Sequence, residues 1–231
     1  MKTSNQLLIG LIVIIFAAIF GTATVLKSEY EKIDKDDPYY GYTSDTLADF
    51  SAIKLEGKYP NLIQIQAGDQ FEIKMRDSKP LRIKWTIRND TLVLTYPKAD
   101  FPNWFTVQET LAGRAGIYIF APKLTSVQAK STTCKLSGWD LSNLELMQQG
   151  ENSGMALTES NIGNLSATVT QGAIMRIEQP NQIKQATVAV RDVSTFITRP
   201  TAIDSLSISV DEEAQVTIPG NLLRRVNFVD E

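Results

Sequence analysis

Residues Met155–Val190 read MALTESNIGNLSATVTQGAIMRIEQPNQIKQATVAV, part of a motif that repeats about every twenty residues from Lys123 to Leu223. The successive apolar anchor pairs are Leu136/Leu141, Leu157/Ile162, Ile177/Ile183, Ile197/Ile203 and Ile218/Leu223. A second apolar series with the same spacing consists of Leu124, Leu144, Leu165, Ala186 and Leu206. A fixed period of this length is the sequence signature of a solenoid.

Apolar and polar residues alternate in both halves of the motif, which is the period of a β-strand. We therefore predict two strands per unit, joined by polar corners such as Gln171-Gly172, with proline at Pro180, Pro200 or Pro219 in the closing corner. A single unit could not fold, since its buried aliphatic side chains are covered only when units stack. The predicted fold class is all-β: a right-handed parallel β-helix with coils of about 20 residues, preceded by one N-terminal transmembrane helix.

Two other architectures share part of this pattern. A leucine-rich repeat has a similar period but requires a helical half, which period-two alternation in both halves disfavours. An antiparallel sandwich also has short strands and turns, but it does not predict anchors that recur at 20 or 21 residues. The solenoid accounts for both observations.

Composition excludes several classes of function. The 231-residue chain has a formal net charge of −3, so it lacks the basic patch expected of a nucleic-acid-binding protein. It contains no histidine and one cysteine, Cys134, which the alternation places on the inward face of a strand. We therefore predict no catalytic residues, no cofactor and no metal site.

The run LLIGLIVIIFAAIFGTATVL at residues 7–26 carries no charge. Twenty apolar residues in a helix match the hydrocarbon thickness of a bilayer, so we predict an anchor whose partner is the lipid bilayer. The alternative is a signal peptide cleaved near Ala23, within a stretch of small residues. Because the apolar run continues to Leu26, the uncleaved anchor is favoured.

The predicted layout has a short cytoplasmic N-terminus at 1–6, the anchor at 7–26, a charged linker at 27–49 and the β-helix domain at 50–231. Lysines lie on both sides of the anchor, so charge alone does not fix its orientation. The large β domain favours a bacterial inner membrane with the domain in the periplasm.

Within the domain, residues 50–120 are expected to form a less regular first part or cap, and residues 123–223 the regular coils. The first part contains an irregular loop with Phe101, Trp104 and Phe105, and the linker contains Tyr39 and Tyr40. These aromatic side chains form a candidate contact surface, although the favoured explanation is that the loop covers the β core and that the tyrosines pack on the domain or at the membrane interface.

The pattern resembles the head GIN domain family, known by the name "putative auto-transporter adhesin". The resemblance covers about residues 48–223 and rests on three stretches and the repeat ladder that follows Pro122-Lys123-Leu124. The stretches are DFSAI at 49–53, IQIQAGDQF at 63–71 and NDTLVL at 89–94. The family's Ser-Gly-rich corners are present only at Leu136-Ser137-Gly138 and Asn152-Ser153-Gly154. The resemblance implies a right-handed parallel β-helix exported from the cytoplasm, and it brings no catalytic residues.

Three function classes remain. The favoured one is a non-enzymatic, membrane-anchored module for binding or adhesion, with a glycan or an envelope protein as the partner. The second is an assembly partner in a cell-envelope complex. The third is a polysaccharide-active enzyme with Arg191, Asp192, Asp211, Glu212 and Glu213 as candidate groups, to which Glu151 would add a further carboxylate. Charged corners of a soluble solenoid explain those residues without catalysis.

Overall fold

The computed structural model describes residues 3–34, 36–76, 83–96, 105–200 and 202–229. The chain divides into two compact units, Met1–Tyr42 and Thr43–Glu231. The predictions for Phe101 and Trp104 lie outside the described residues.

The first unit contains helix α1, Thr3–Glu31. Its segment Asn5–Glu31 contains an 18-residue window with a mean hydropathy of 2.6 and is long and apolar enough to cross a membrane. None of its apolar side chains is covered by protein. An unpartnered helix that is apolar all round is typical of a membrane span or of a signal sequence.

The second unit is built almost entirely from β-strands. The strands are β1 (Tyr42–Thr46), β2 (Ala52–Ala67), β3 (Glu72–Arg76), β4 (Lys84–Arg88), β5 (Thr91–Thr95), β6 (Ile117–Ala121), β7 (Ser126–Ser137), β8 (Asp140–Gln149), β9 (Gly154–Thr158), β10 (Ser160–Thr170), β11 (Ile174–Ile177), β12 (Asn181–Val190), β13 (Thr195–Thr198), β14 (Ala202–Val210), β15 (Gln215–Thr217) and β16 (Val226–Phe228). Two short helices interrupt them, α2 (Val107–Ala112) and α3 (Gly220–Leu223).

From β7 onward the strands pair in parallel, each with the strand one coil further along. Ile162 of β10 lies beside Leu141 of β8 and Ile183 of β12. Leu157 of β9 lies between Leu136 and Ile177. The predicted parallel β-solenoid is therefore confirmed, and residues on adjacent coils stack with a spacing of about 21 positions.

Each regular coil has three strand segments instead of the two that we predicted. In β10 the alternation slips at Gly163 and Asn164, where two consecutive residues lie outside the core. The slip divides β10 into a first segment before Gly163 and a second segment that ends at Thr170, and β11 is the third. A side chain at position 163 is impossible without movement, because its Cβ would lie 2.4 Å from the carbonyl oxygen of Ser142.

Inward-facing residues form continuous apolar columns. One column runs through Ile53, Val127, Leu146, Ala167, Val188 and Ile208. Another contains Cys134 between Ile63 and Met155. The Cys134 side chain is fully buried, as predicted, and burial raises the pKa of its thiol to about 12. Stacked aliphatic columns supply the area that stabilises the solenoid.

The spatial order of the first coils differs from their order in the sequence. Strand β2 lies between β7 on one side and both β5 and β6 on the other. The coil made by β5 and β6 therefore lies beyond β2, although it follows β2 in the chain. Antiparallel β4 and β3 cover this end by pairing with β5 and β6. Residues 50–120 thus include a regular coil, β2, as well as the end cap.

The C-terminal end differs from the predicted last repeat. We expected Leu223 to be an inward anchor, but Leu222 is buried whereas Leu223 is exposed. The chain forms the short helix α3 here, and this changes the direction of successive side chains. Strand β16 then pairs with β14 and forms the final edge of the sheet, as the charged C-terminal segment predicted.

Candidate functional site

The predicted aromatic contact residues that the structure describes belong to two separate units. Tyr39 is partly buried and its ring lies edge-on to that of Tyr42, with centroids 6.5 Å apart. Tyr40 and Phe105 are exposed. Tyr39 and Tyr40 belong to the first unit and Phe105 to the second, where it precedes α2. The aromatic contact surface therefore stays a prediction.

The carboxylates of the acidic corner proposed for catalysis accept hydrogen bonds from the backbone of the neighbouring coil. The Asp192 carboxylate accepts a hydrogen bond from the backbone N–H of Gln171 at 2.8 Å. The Asp211 carboxylate accepts one from the backbone N–H of Asp192 at 3.0 Å and one from Arg191 Nη1 at 2.8 Å. The hydrogen bond from Arg191 is the main reason that the pKa of Asp211 lies below its usual value. Each carboxylate therefore caps a corner of the neighbouring coil.

Two rows of polar side chains, most of them amides, lie on the outer surface of the first strand segments. Asn161 Nδ2 donates to Asp140 Oδ1 at 3.0 Å, and Asn164 Nδ2 donates to Asn143 Oδ1 at 2.9 Å. The next coil continues both rows with Gln182 and Gln185. We call these six residues, Asp140, Asn143, Asn161, Asn164, Gln182 and Gln185, the amide face.

The amide face contains a shallow depression of about 590 Å³. Gly163 and Ser142 lie in it, and Lys184 stands at one side. The absence of a side chain at Gly163 lowers the surface between the two amide rows. Adjacent strands are about 4.8 Å apart, so the rows present donors and acceptors at a fixed spacing.

Helix α2 lies against the outer surface of the third strand segments. Thr106 Oγ1 accepts a hydrogen bond from the Glu109 backbone N–H, and Glu109 Oε2 accepts one from the Thr106 backbone N–H. This capping box fixes the start of the helix. Val107 packs directly over Gly154, where a Cβ would lie 2.4 Å from Val107 Cγ1.

Between α2 and the strands lies a groove of about 330 Å³, which we call the arginine groove. Gln108, Leu111 and Ala112 of α2 form one wall. The strand side contributes Lys135, Ala156, Thr158, Arg176, Glu178, Gln179 and Arg199. Three cationic side chains and one carboxylate give this groove a formal charge of +2 on a protein whose net charge is −3.

Glu178 lies between two guanidinium groups. Its Oε1 is 2.8 Å from Arg176 Nε, and its Oε2 is 2.8 Å from Arg199 Nε. The buried Arg176 Nε–H makes no aligned hydrogen bond, so charge and proximity hold this pair. The side chain of Arg176 is only 10% exposed, whereas that of Arg199 is 54% exposed.

Neither the amide face nor the arginine groove was predicted from the sequence. The spacing of 21 between Asn143, Asn164 and Gln185 was a usable signal for the amide face, because coil period and outward position together place them in one row. The arginine groove had no such signal, since its second wall comes from α2. Across the described residues, no group of three or more His, Cys, Asp or Glu side chains is placed to bind a metal ion.

The sequence matches no protein-family model and no curated protein. Solved structures of similar fold exist. A "putative adhesin" of Parabacteroides distasonis is 11% identical with a TM-score of 0.56, and the match covers 76% of this chain and 71% of the other. A "putative adhesin" of Bacteroides fragilis is 9% identical with a TM-score of 0.50, covering 81% and 93%. At this level of identity the likeness establishes a shared fold.

Proposed function

We propose that this chain is a non-enzymatic binding or adhesion module, tethered to a bacterial inner membrane, with the β-solenoid in the periplasm. Residues 7–26 form the anchor, 27–49 the linker and 50–231 the binding domain. The ligand class is a glycan with unmodified hydroxyl groups, bound along the amide face.

The observation that carries this proposal is the hydrogen-bonded amide ladder. Asn161 and Asn164 each use one N–H to bind the preceding coil, which fixes the side-chain conformation. Each amide retains a second N–H and its carbonyl oxygen for hydroxyl groups of a ligand. Because the side chains are ordered before binding, little conformational entropy is lost when a ligand binds.

The shallow shape of the depression supports a long ligand. Small-molecule sites are usually deep and mostly apolar, whereas this one is shallow and lined mainly by polar side chains: three amides, Ser142, Asp140 and Lys184. A chain of sugar residues can lie along it and contact successive coils. The two proteins of similar fold both carry the name "putative adhesin", which agrees with this class of function.

The absence of catalysis is supported by the acidic corner. The carboxylates of Asp192 and Asp211 already accept backbone hydrogen bonds, and that of Asp211 is paired with Arg191. A general acid needs a raised pKa near the operating pH, whereas the pKa of Asp211 is lowered.

Helix α1 supports the membrane tether. Its 29 residues exceed the roughly 20 needed to span a bilayer. We expect the full chain to stay in the membrane fraction after alkaline carbonate extraction, with α1 uncleaved. Release of a shorter chain that starts near Ala23 would contradict the anchor and favour a signal peptide.

The binding proposal is tested with the full chain in lipid nanodiscs on an array of neutral glycans. We expect retention of at least one glycan, and loss of that signal in the Asn164→Ala, Gln185→Ala double variant. The matched control is Gln128→Ala, which removes an exposed amide from a second strand segment. Retention that is equal in all three chains would contradict a role for the amide face.

The alternative is an assembly partner in a cell-envelope complex, for which the exposed ring of Phe105 is the supporting observation. It predicts a membrane protein that co-purifies with the full chain and is lost in Phe105→Ala. Co-purification together with a silent glycan array would favour assembly over glycan binding.

A further inference from the structure

We propose that the arginine groove binds a sugar residue that carries a carboxylate, such as a uronic acid unit of an acidic polysaccharide. The groove lies under α2, whereas the amide face is on the first strand segments, so this inference does not depend on the function proposed above. The inference rests on three cationic side chains, those of Lys135, Arg176 and Arg199, which lie around the floor of the groove.

The floor of the groove is set by register. Lys135, Ala156 and Arg176 occupy the same outward position on three successive strands. The methyl group of Ala156 separates two long cationic side chains whose backbones are roughly 10 Å apart. Ala156 is almost fully buried although it faces outward, because α2 covers this surface.

The two arginines are held so that most of their donors stay available. Glu178 lies against the Nε edge of both guanidinium groups. Each guanidinium has four further N–H donors on Nη1 and Nη2. Within the described part of the chain, neither guanidinium group makes another ion pair or hydrogen bond. One carboxylate therefore orients two guanidinium groups without neutralising the groove.

The chemistry of the walls selects the class of anion. The planar guanidinium group can donate two parallel N–H bonds to a carboxylate, and this geometry favours a carboxylate over other anions. The side chains of Gln108, Gln179 and Thr158 offer polar groups for sugar hydroxyls. Leu111 and Ala112 offer apolar contact for the carbon face of a ring. A volume of about 330 Å³ suits one sugar residue.

The test is calorimetric titration of the full chain in neutral-lipid nanodiscs with a trisaccharide of galacturonic acid. The neutral galactose trisaccharide, sodium acetate and inorganic phosphate are titrated in parallel. We expect measurable affinity for the galacturonate only, and weaker affinity as salt is raised. Absence of binding, or acetate or phosphate binding as tightly as the acidic sugar, would overturn the proposal.

Two variants locate the binding site. Arg199→Gln and Lys135→Gln each remove one charge without opening the core, and each should weaken binding about tenfold, as expected for a charge-assisted hydrogen bond. Lys130→Gln, an exposed lysine of a second strand segment, is the control and should bind like the parent chain. Unchanged affinity in both groove variants would overturn the location. Binding of neutral glycans by the amide face should be unaffected in these variants.

Discussion

At the scale of single residues, Gln148 is a polar residue in an apolar column. Its neighbours on the adjacent coils are Ala129 and Val169, yet its side chain is fully buried. Its Nε2 donates to the carbonyl of Thr132 at 3.1 Å and to Ser153 Oγ at 2.8 Å. The corner between Ala129 and Cys134 is two residues shorter than the corresponding corner of the next coil, between Gln148 and Met155. Gln148 provides a donor for the Thr132 carbonyl group in the shorter corner.

Gly163 is required by a close approach of two backbones. In Gly163→Ala the new methyl group would meet the Ser142 carbonyl oxygen at 2.4 Å, and backbone cannot move as cheaply as a side chain. We expect a loss of about 1–3 kcal/mol in the free energy of unfolding, measured by urea denaturation. Gly220→Ala is the control, because nothing lies within 4 Å of its Cβ. Equal stability of the two variants would contradict this account.

Cys134 should make stability depend on alkaline pH. Burial raises the pKa of the thiol from 9.0 to about 12, so above pH 9 the unfolded chain loses this proton while the folded chain keeps it. The unfolded state is thereby favoured, and stability should fall as pH rises from about 9 towards 12.

Cys134→Val keeps the column apolar and removes the titrating group. The decrease in melting temperature between pH 8 and pH 10.5 should therefore be smaller in Cys134→Val than in the parent chain. Thiol labelling gives a second readout, since the parent should react with maleimide only in denaturant. An identical pH profile in both chains would contradict the assignment to Cys134.

At the scale of elements, β16 protects the end of the stack. It covers the edge of β14, whose Leu206 and Ile208 are fully buried. Truncation after Leu223 removes β16 and leaves an unpaired strand edge beside apolar side chains. We expect the truncated chain to self-associate, as seen by light scattering after size exclusion.

The control for this truncation is Phe228→Ser in the full-length chain. Phe228 is 63% exposed, so the substitution removes an apolar side chain and leaves the backbone pairing of β16 intact. The variant should have the oligomeric state of the parent chain. If Phe228→Ser self-associates and the truncated chain does not, the Phe228 side chain matters more than the strand edge of β14.

The elements that the sequence predicted well are those with a period. The anchors Leu157, Ile162 and Ile177 stack as expected, because parallel coils bring residues 20 or 21 apart side by side. The sequence did not predict the slip at Gly163-Asn164, since a corner inside a strand has no proline or glycine pair to mark it. It also did not predict α2, whose position depends on packing between Val107 and Gly154.

The candidate sites also differ in whether they follow the coil period. The amide face follows from the coil period, because outward residues 21 positions apart stack in the same way as the inward anchors. The arginine groove depends on a helix that lies far from Arg176 in the sequence, so no local pattern contains it. The sequence presents Asp192 and Asp211 as carboxylates that could act as a pair, whereas in the structure both accept hydrogen bonds from backbone N–H groups and Asp211 is also paired with Arg191.

At the scale of the whole molecule, stability should be graded along the stack. A coil in the middle is paired on both sides, whereas β4 and β16 are each paired on one side only. In a solenoid with nearest-neighbour coupling, the ends open first. We expect hydrogen exchange to be slowest in β7 and β10 and fastest in β4 and β16, measured by mass spectrometry. Uniform exchange across the coils would contradict graded opening.

The position of β2 between β7 and the β5–β6 coil has a consequence for the way the chain is made. During synthesis β2 is made before all of these neighbouring strands, because β5, β6 and β7 follow it in the chain. No strand edge to which a further coil could be added exists until β6, which ends at Ala121, and then β7, which ends at Ser137, have been synthesised. From that point each new coil completes on a surface that is already folded, so assembly changes from a closure of three distant segments to an addition of one coil at a time.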